Sequence, residues 1–171
     1  RRAAVEFDVV LVGDPRFSGG TGTAMASEAK ALSAAGYAVG FIPVEASLLR
    51  SPRMMHAEVH TLVASGALHL VPPNERVSAR LCILHHPQIF ETYPYLPMNL
   101  VAEQVLLVVH HPPKDGAGKP AYDVGAINRI VTDLFGKTSW APVGPKVRAA
   151  FAGMPDAPHL TPDDWLNVLD H

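Results

Sequence analysis

Apolar residues in this chain fall into short continuous runs, separated by stretches in which they recur every three or four positions. The run from Phe7 to Val12, closed by Gly13, predicts a strand covered on both faces. From Thr23 to Ala35 the apolar positions Met25, Ala29 and Leu32 keep helical spacing, and Gly36 is placed to end that helix. Ala38 to Val44 is strand-like again. Met55, Val59, Leu62 and Val63 mark a second helix, closed by Gly66. Short strands are expected at Leu68 to Val71, Leu81 to Leu84 and Val105 to Val109. Val124, Ile127, Ile130, Val131 and Leu134 outline an amphipathic helix stopped by Gly136. A sixth strand is expected at Trp140 to Val143, followed by a helical turn around Val147 to Phe151.

Strands alternating with helices predict an α/β fold with a doubly wound, mostly parallel, Rossmann-like sheet in three α/β/α layers. Ligands in such sheets bind beyond the carboxyl ends of the strands. That rule brings three distant stretches to one rim: the loop after Gly13, His85-His86, and His110-His111. Residues 1–152 are expected to form the domain. Residues 153–171, rich in Pro and Asp at their start, read as a linker or as the start of a connection to a further domain.

Composition narrows the partners. A length of 171 residues with 48% hydrophobic and 18% charged side chains fits one folded domain. A net charge of −2, few aromatics and no basic stripe argue against nucleic acid. Cys82 is the only cysteine and lies in an apolar run, as expected of a buried thiol in a reducing, cytoplasmic setting. No run is long enough to span a bilayer, and no signal peptide is evident after Arg1-Arg2-Ala3-Ala4.

The glycine-rich stretch from Gly19 to Gly22 differs from the dinucleotide fingerprint. Met25 stands where the third glycine of G-x-G-x-x-G belongs, and the glycines come late after the strand. No lysine follows Gly22, which removes the phosphate-loop nucleotidases. One reading of Gly19, Gly20, Thr21 and Gly22 is a turn that needs left-handed backbone. The other is a bare helix N-terminus offered to an anion. In each histidine pair only one side chain is expected to face a cleft, because adjacent strand residues point to opposite faces. An imidazole there can cap a carbonyl, or touch a sugar hydroxyl or a phosphate. The spacing is not that of a zinc site, and no metal is expected. Asp14 is placed to cap its loop or bind a hydroxyl. Asp123 is placed to cap the helix at Val124, and Tyr122 is a further rim candidate.

Gly19-Gly20, then Glu28, Leu32 and Gly36, then Val109-His110-His111-Pro112-Pro113, Tyr122-Asp123 and Trp140-Ala141-Pro142-Val143-Gly144-Pro145 resemble the N-terminal domain of GT-B glycosyltransferases. The similarity is to the bacterial members of the large retaining group called family 4. Asp164-Trp165-Leu166-Asn167 is similar to the segment that leads into their second domain. The resemblance implies a domain that receives the acceptor while an absent C-terminal domain holds the nucleotide-sugar donor, so the chain alone should not turn over. It implies His110 and His111 as the catalytic candidates near the transferred sugar. It also implies Gly19 and Gly20 as the loop whose backbone approaches the donor diphosphate and the acceptor, with no cofactor. Their place on or beside the rim adds Thr21, Gly22, His85, His86, Asp14, Tyr122 and Asp123 as candidates for the same binding surface. Two alternatives stand beside it: a dinucleotide-binding oxidoreductase module, and a non-catalytic interaction domain.

Overall fold

The computed structural model describes residues 4–14, 20–44, 56–72, 75–94, 99–155 and 157–165; the side chains of residues 20–22 are outside that description. Six strands form one all-parallel sheet: β1 (Val5–Gly13), β2 (Val39–Pro43), β3 (His69–Leu70), β4 (Arg76–His85), β5 (Asn99–Val109) and β6 (Ser139–Pro142). Their order across the sheet is β3-β2-β1-β4-β5-β6. The chain therefore winds outward from β1 in one direction and from β4 in the other.

One face carries α1 (Gly20–Ala34) and α2 (Ala57–Ser65), whose Met25, Ala26, Ala29 and Val59 pack on Val9, Leu11, Phe41 and Ile83. The opposite face carries α3 (Val124–Phe135) and α4 (Pro145–Ala150), through Val124, Ile127, Ile130, Val131 and Val147. Helices on opposite faces for opposite winding directions is what a fixed crossover hand requires. Each fully buried aliphatic side chain in these layers contributes about 1.5–3 kcal/mol.

Local signals set the helix ends. Gly36 (φ 93°) closes α1, with Tyr37 N–H reaching Leu32 O at 3.1 Å, and Gly66 (φ 82°) closes α2 in the left-handed region that glycine enters without strain. Asp123 caps α3 by accepting from Ala126 N–H at 3.0 Å.

Two differences from the sequence expectations have physical causes. Gly20 to Gly22 open α1 rather than forming a turn before Thr23, because the packing of Met25 and Ala26 extends the helix past its weak formers. β4 and β5 start several residues earlier than their apolar runs. Their first halves carry Arg76, Arg80, Glu103 and Gln104 on exposed positions and so lack a continuous apolar signature. Between β4 and β5 the helical element described is only the short 3-10 helix Pro87–Phe90.

The three central strands also change faces in step. Phe7, Ala79 and Ala102 are register partners packed on the α3 side, and so are Val10, Cys82 and Val105, although each is three residues further on. A strand with strict alternation would put these two rows on opposite faces. The extra residue lies at the level of Asp8, Arg80 and Glu103, which the ladder skips. In β1 it is a bulge: Asp8 N–H and Val9 N–H both reach Ala38 O, at 3.0 and 3.2 Å.

The stretch after α4 forms no helix or named strand among its described residues, but part of it lies along β6. Trp140 N–H reaches His159 O and Thr161 N–H reaches Trp140 O, both at 2.8 Å. Arg148 fastens this strap by donating to Asp164 Oδ1 at 2.6 Å and to Thr161 O at 2.7 Å.

Candidate functional site

The winding direction reverses between β1 and β4, so the crevice of a doubly wound sheet opens above Gly13 and His85. Asp14 follows β1, His86 follows β4, and His110-His111 follow β5. Register explains how the histidines meet. His85 pairs with Val108, and His110 lies two residues beyond on the same side. The His85 and His110 rings stack with centroids 6.0 Å apart, while His86 and His111 meet edge to face at 6.5 Å. His85 is buried, His110 and His86 are half-buried, and His111 is exposed. One member of each pair thus turns inward, and the two outer ones form the lip.

His85 lies on the α1 side of the sheet, two residues after Ile83. Glu28 of α1 sits within the stripe of Met25, Ala29 and Leu32 and is carried into the same layer. Its Oε2 is 3.4 Å from His85 Nε2, at the outer limit of a hydrogen bond. Trp165, on the strap, packs on this layer and donates its indole N–H to the Glu28 carboxyl group. Glu28 Oε1, both ring nitrogens of His85 and Nε2 of His110 are buried without a hydrogen-bond partner. Buried polar atoms of this kind are uncommon in folded proteins, and their convergence on one rim marks it out.

Burial sets the protonation states. Desolvation pushes the Glu28 carboxyl up to about 7, with the Trp165 hydrogen bond opposing it. Desolvation, followed by mutual repulsion among the histidines, pushes His85 down to about 3 and His86 and His110 down to about 4. At neutral pH these three imidazoles are uncharged, each with one donor and one acceptor nitrogen. That chemistry suits hydroxyl groups better than a phosphate, which asks for positive charge.

The remaining sequence candidates lie as follows. Asp14 is buried and close enough to His86 for its charge to favour the imidazolium. Tyr122 is buried, and its hydroxyl donates to the His111 carbonyl at 2.7 Å, which holds the backbone of the β5 tip. Burial raises the Tyr122 hydroxyl well above its ordinary value. Asp123 is occupied at the start of α3. Gly20, Thr21 and Gly22 form the first turn of α1, which has no acidic residue, and Gly19 lies outside the described residues. Sequence reasoning did not place Glu28 or Trp165 at the site. For Glu28 the signal was available, as a carboxylate inside an apolar helical stripe.

His86 carries backbone strain. Its φ of 73° is the one positive value at a non-glycine position among the described residues. Pro87 behind it further restricts its backbone. Such a residue costs on the order of 1–3 kcal/mol and is a pointer to function. Accordingly, His86→Gly should leave thermal stability unchanged or raise it by about 1 kcal/mol, read by calorimetry. A loss of stability would show that His86 is held there for packing alone.

A separate cleft of about 290 Å³ lies between α1 and α2, lined by Ala26, Ser27, Lys30, Ala57, Glu58 and Leu62 among others. It is lined by none of the rim residues, and the unpartnered buried polar atoms of His85 and His110 lie at the rim instead. Among the described residues, no group of three or more His, Cys, Asp or Glu side chains is arranged to hold a metal ion. Among them, too, no helix is long and apolar enough to cross a membrane. Comparison with family models, with curated proteins and with solved structures gave no match.

Proposed function

We propose that this chain is the acceptor-side half of a GT-B type glycosyltransferase, which moves a sugar from a nucleotide-sugar donor to a hydroxyl-bearing acceptor. The observation that carries the reading is the double histidine pairing at the ends of β4 and β5, beside the point where the winding reverses. Neutral imidazoles there can bind sugar hydroxyls as both donor and acceptor. His110 and His111 are the candidates nearest the transferred sugar, with His85 and Asp14 behind them. The donor diphosphate would be met by the first turn of α1 and by a partner domain, whose dipoles and basic side chains would stabilise the leaving group without a metal.

A dinucleotide module is the second reading, favoured by the strand order β3-β2-β1-β4-β5-β6, which dinucleotide-binding sheets also use. Met25 weighs against it. A Cβ added at Gly13 would meet the Met25 sulfur at 3.0 Å, so this side chain fills the space at the strand tip that a third glycine would leave open.

Titration of the labelled chain with nucleotide sugars, free sugars and NAD(H), followed by amide shifts, separates the two. Sugars should perturb residues around His110 and His111, and NAD(H) should perturb nothing. Saturable micromolar NAD(H) binding that is lost in Gly20→Val would overturn the transferase reading. In an enzyme that joins this domain to a donor-binding domain, His110→Ala combined with His111→Ala should lower transfer by roughly 10²–10⁴-fold, with little change in melting temperature.

A further inference from the structure

We propose that Glu28 is a positioning residue of the rim: through His85 Nε2 it decides which nitrogen of His85 carries the proton, and so whether Nδ1 meets the histidine layer as a donor or an acceptor. The inference rests on the reading of the rim as a hydroxyl-binding surface only for its consequence, not for its geometry.

The geometry is a stack in three levels. Trp165 donates to Glu28, Glu28 Oε2 lies 3.4 Å from His85 Nε2, and the His85 ring stacks on His110 at 6.0 Å. Glu28 is 7% exposed and His85 1%, so solvent water does not blur the exchange between them. A protonated Glu28 donates to Nε2, which leaves the His85 proton on Nδ1. An ionised Glu28 accepts from Nε2–H, which leaves Nδ1 bare. One proton leaves Glu28 in passing between the two states, while His85 stays neutral and only changes tautomer. Nδ1 has no hydrogen-bond partner, Nε2 has only the Glu28 oxygen at 3.4 Å, and Nε2 of His110 is likewise unpartnered.

The surroundings make Glu28 the group that changes near neutral pH. Facing this layer are His85 and His86 from the end of β4, His110 and His111 from the end of β5, and Asp14 from the end of β1. Lys30 on α1 and Glu58 on α2 line the separate cleft. Burial holds His85, His86 and His110 uncharged down to about pH 4, whereas burial raises Glu28 to about 7.

The test is long-range ¹H–¹⁵N correlation of the histidine rings in the labelled chain, from about pH 5 to about pH 9, a range that brackets Glu28 and histidine titration. In the wild type, the two nitrogens of His85 should exchange between protonated and bare signatures with a midpoint near pH 7. In Glu28→Gln, which cannot ionise, they should keep one pattern throughout. Trp165→Phe gives an independent reading: without the indole donor the midpoint should move to higher pH. A wild-type His85 fixed in one tautomer, a transition that survives in Glu28→Gln, or a midpoint unmoved or lowered in Trp165→Phe would each overturn the proposal. Sugar binding at His110 with a fixed His85 would remove this inference and keep the transferase reading. A His85 transition without sugar binding would do the reverse.

Discussion

Acidification from about pH 6.5 to about pH 4 lowers the melting temperature of this domain by at least about 10 °C, the consequence of several kcal/mol lost from a protein of this size. Three imidazoles account for it. Burial depresses His85 to about 3 and His86 and His110 to about 4, from an ordinary value of 6.5. A depressed group favours the folded state above its unfolded value, and the benefit drains away as the pH falls toward the folded one. Glu28 acts in the opposite sense. Raised from 4.5 to about 7, it stabilises the fold below 4.5 and loses that contribution as the pH rises through 7. Between about pH 4.5 and 6.5 the three histidines outweigh the one carboxyl group. Stability then climbs with pH by up to about 2.7 kcal/mol per unit, two net protons at 1.36 kcal/mol each. Stability levels off between about pH 7 and pH 8, where the last histidine protons of the unfolded chain and the Glu28 proton of the folded one cancel. Calorimetric scans across this range check the shape, and His85→Gln should flatten the acid limb by about half, from two net protons to one. An unchanged melting temperature between about pH 6.5 and pH 5 would mean that the histidines are hydrated in solution.

Trp140→Ala should cost about 3–5 kcal/mol, measured by urea denaturation, as expected of a large aromatic removed from a packed core. Trp140 is fully buried on β6, meets Phe151 edge to face at 5.9 Å, and donates its indole N–H to Asn128 at 3.2 Å. The side chain thereby joins the sheet to α3 and to the end of α4. Trp140→Phe should recover roughly half of the loss, because a ring remains against Phe151 while Asn128, half-buried, can turn to water. The strap should stay docked in both variants, since its bonds to β6 run through the main chain at residue 140. A cost below about 1 kcal/mol for the alanine variant would contradict the packing described here.

The apolar runs were enough to predict a doubly wound sheet, and the histidines at two run ends were enough to predict a shared rim. Both follow from local rules: buried parallel strands are uniformly apolar, and ligands gather beyond their carboxyl ends. What escaped depends on contacts between distant segments. Glu28 entered only as part of a resemblance, without a place at the rim, until the packing of α1 against β4 set it beside His85. Trp165 belonged to a stretch without periodicity, and only its pairing beside β6 carries it back across the rim to α1. The first halves of β4 and β5 were overlooked because exposed strand positions admit charged residues. The strain at His86 was equally hidden, since no residue type announces a positive φ.

The change of faces in β1, β4 and β5 makes strand length a shared property of the sheet. Removing Asp8 alone would slide Phe7 along β1 until it opposed Arg80, setting the pleat of one strand out of phase with two unaltered neighbours. Removing Asp8, Arg80 and Glu103 together would restore the phase. Insertions and deletions at this level are therefore tied across three segments that lie far apart in the gene, and a lineage that altered one of them would be under pressure to alter the other two.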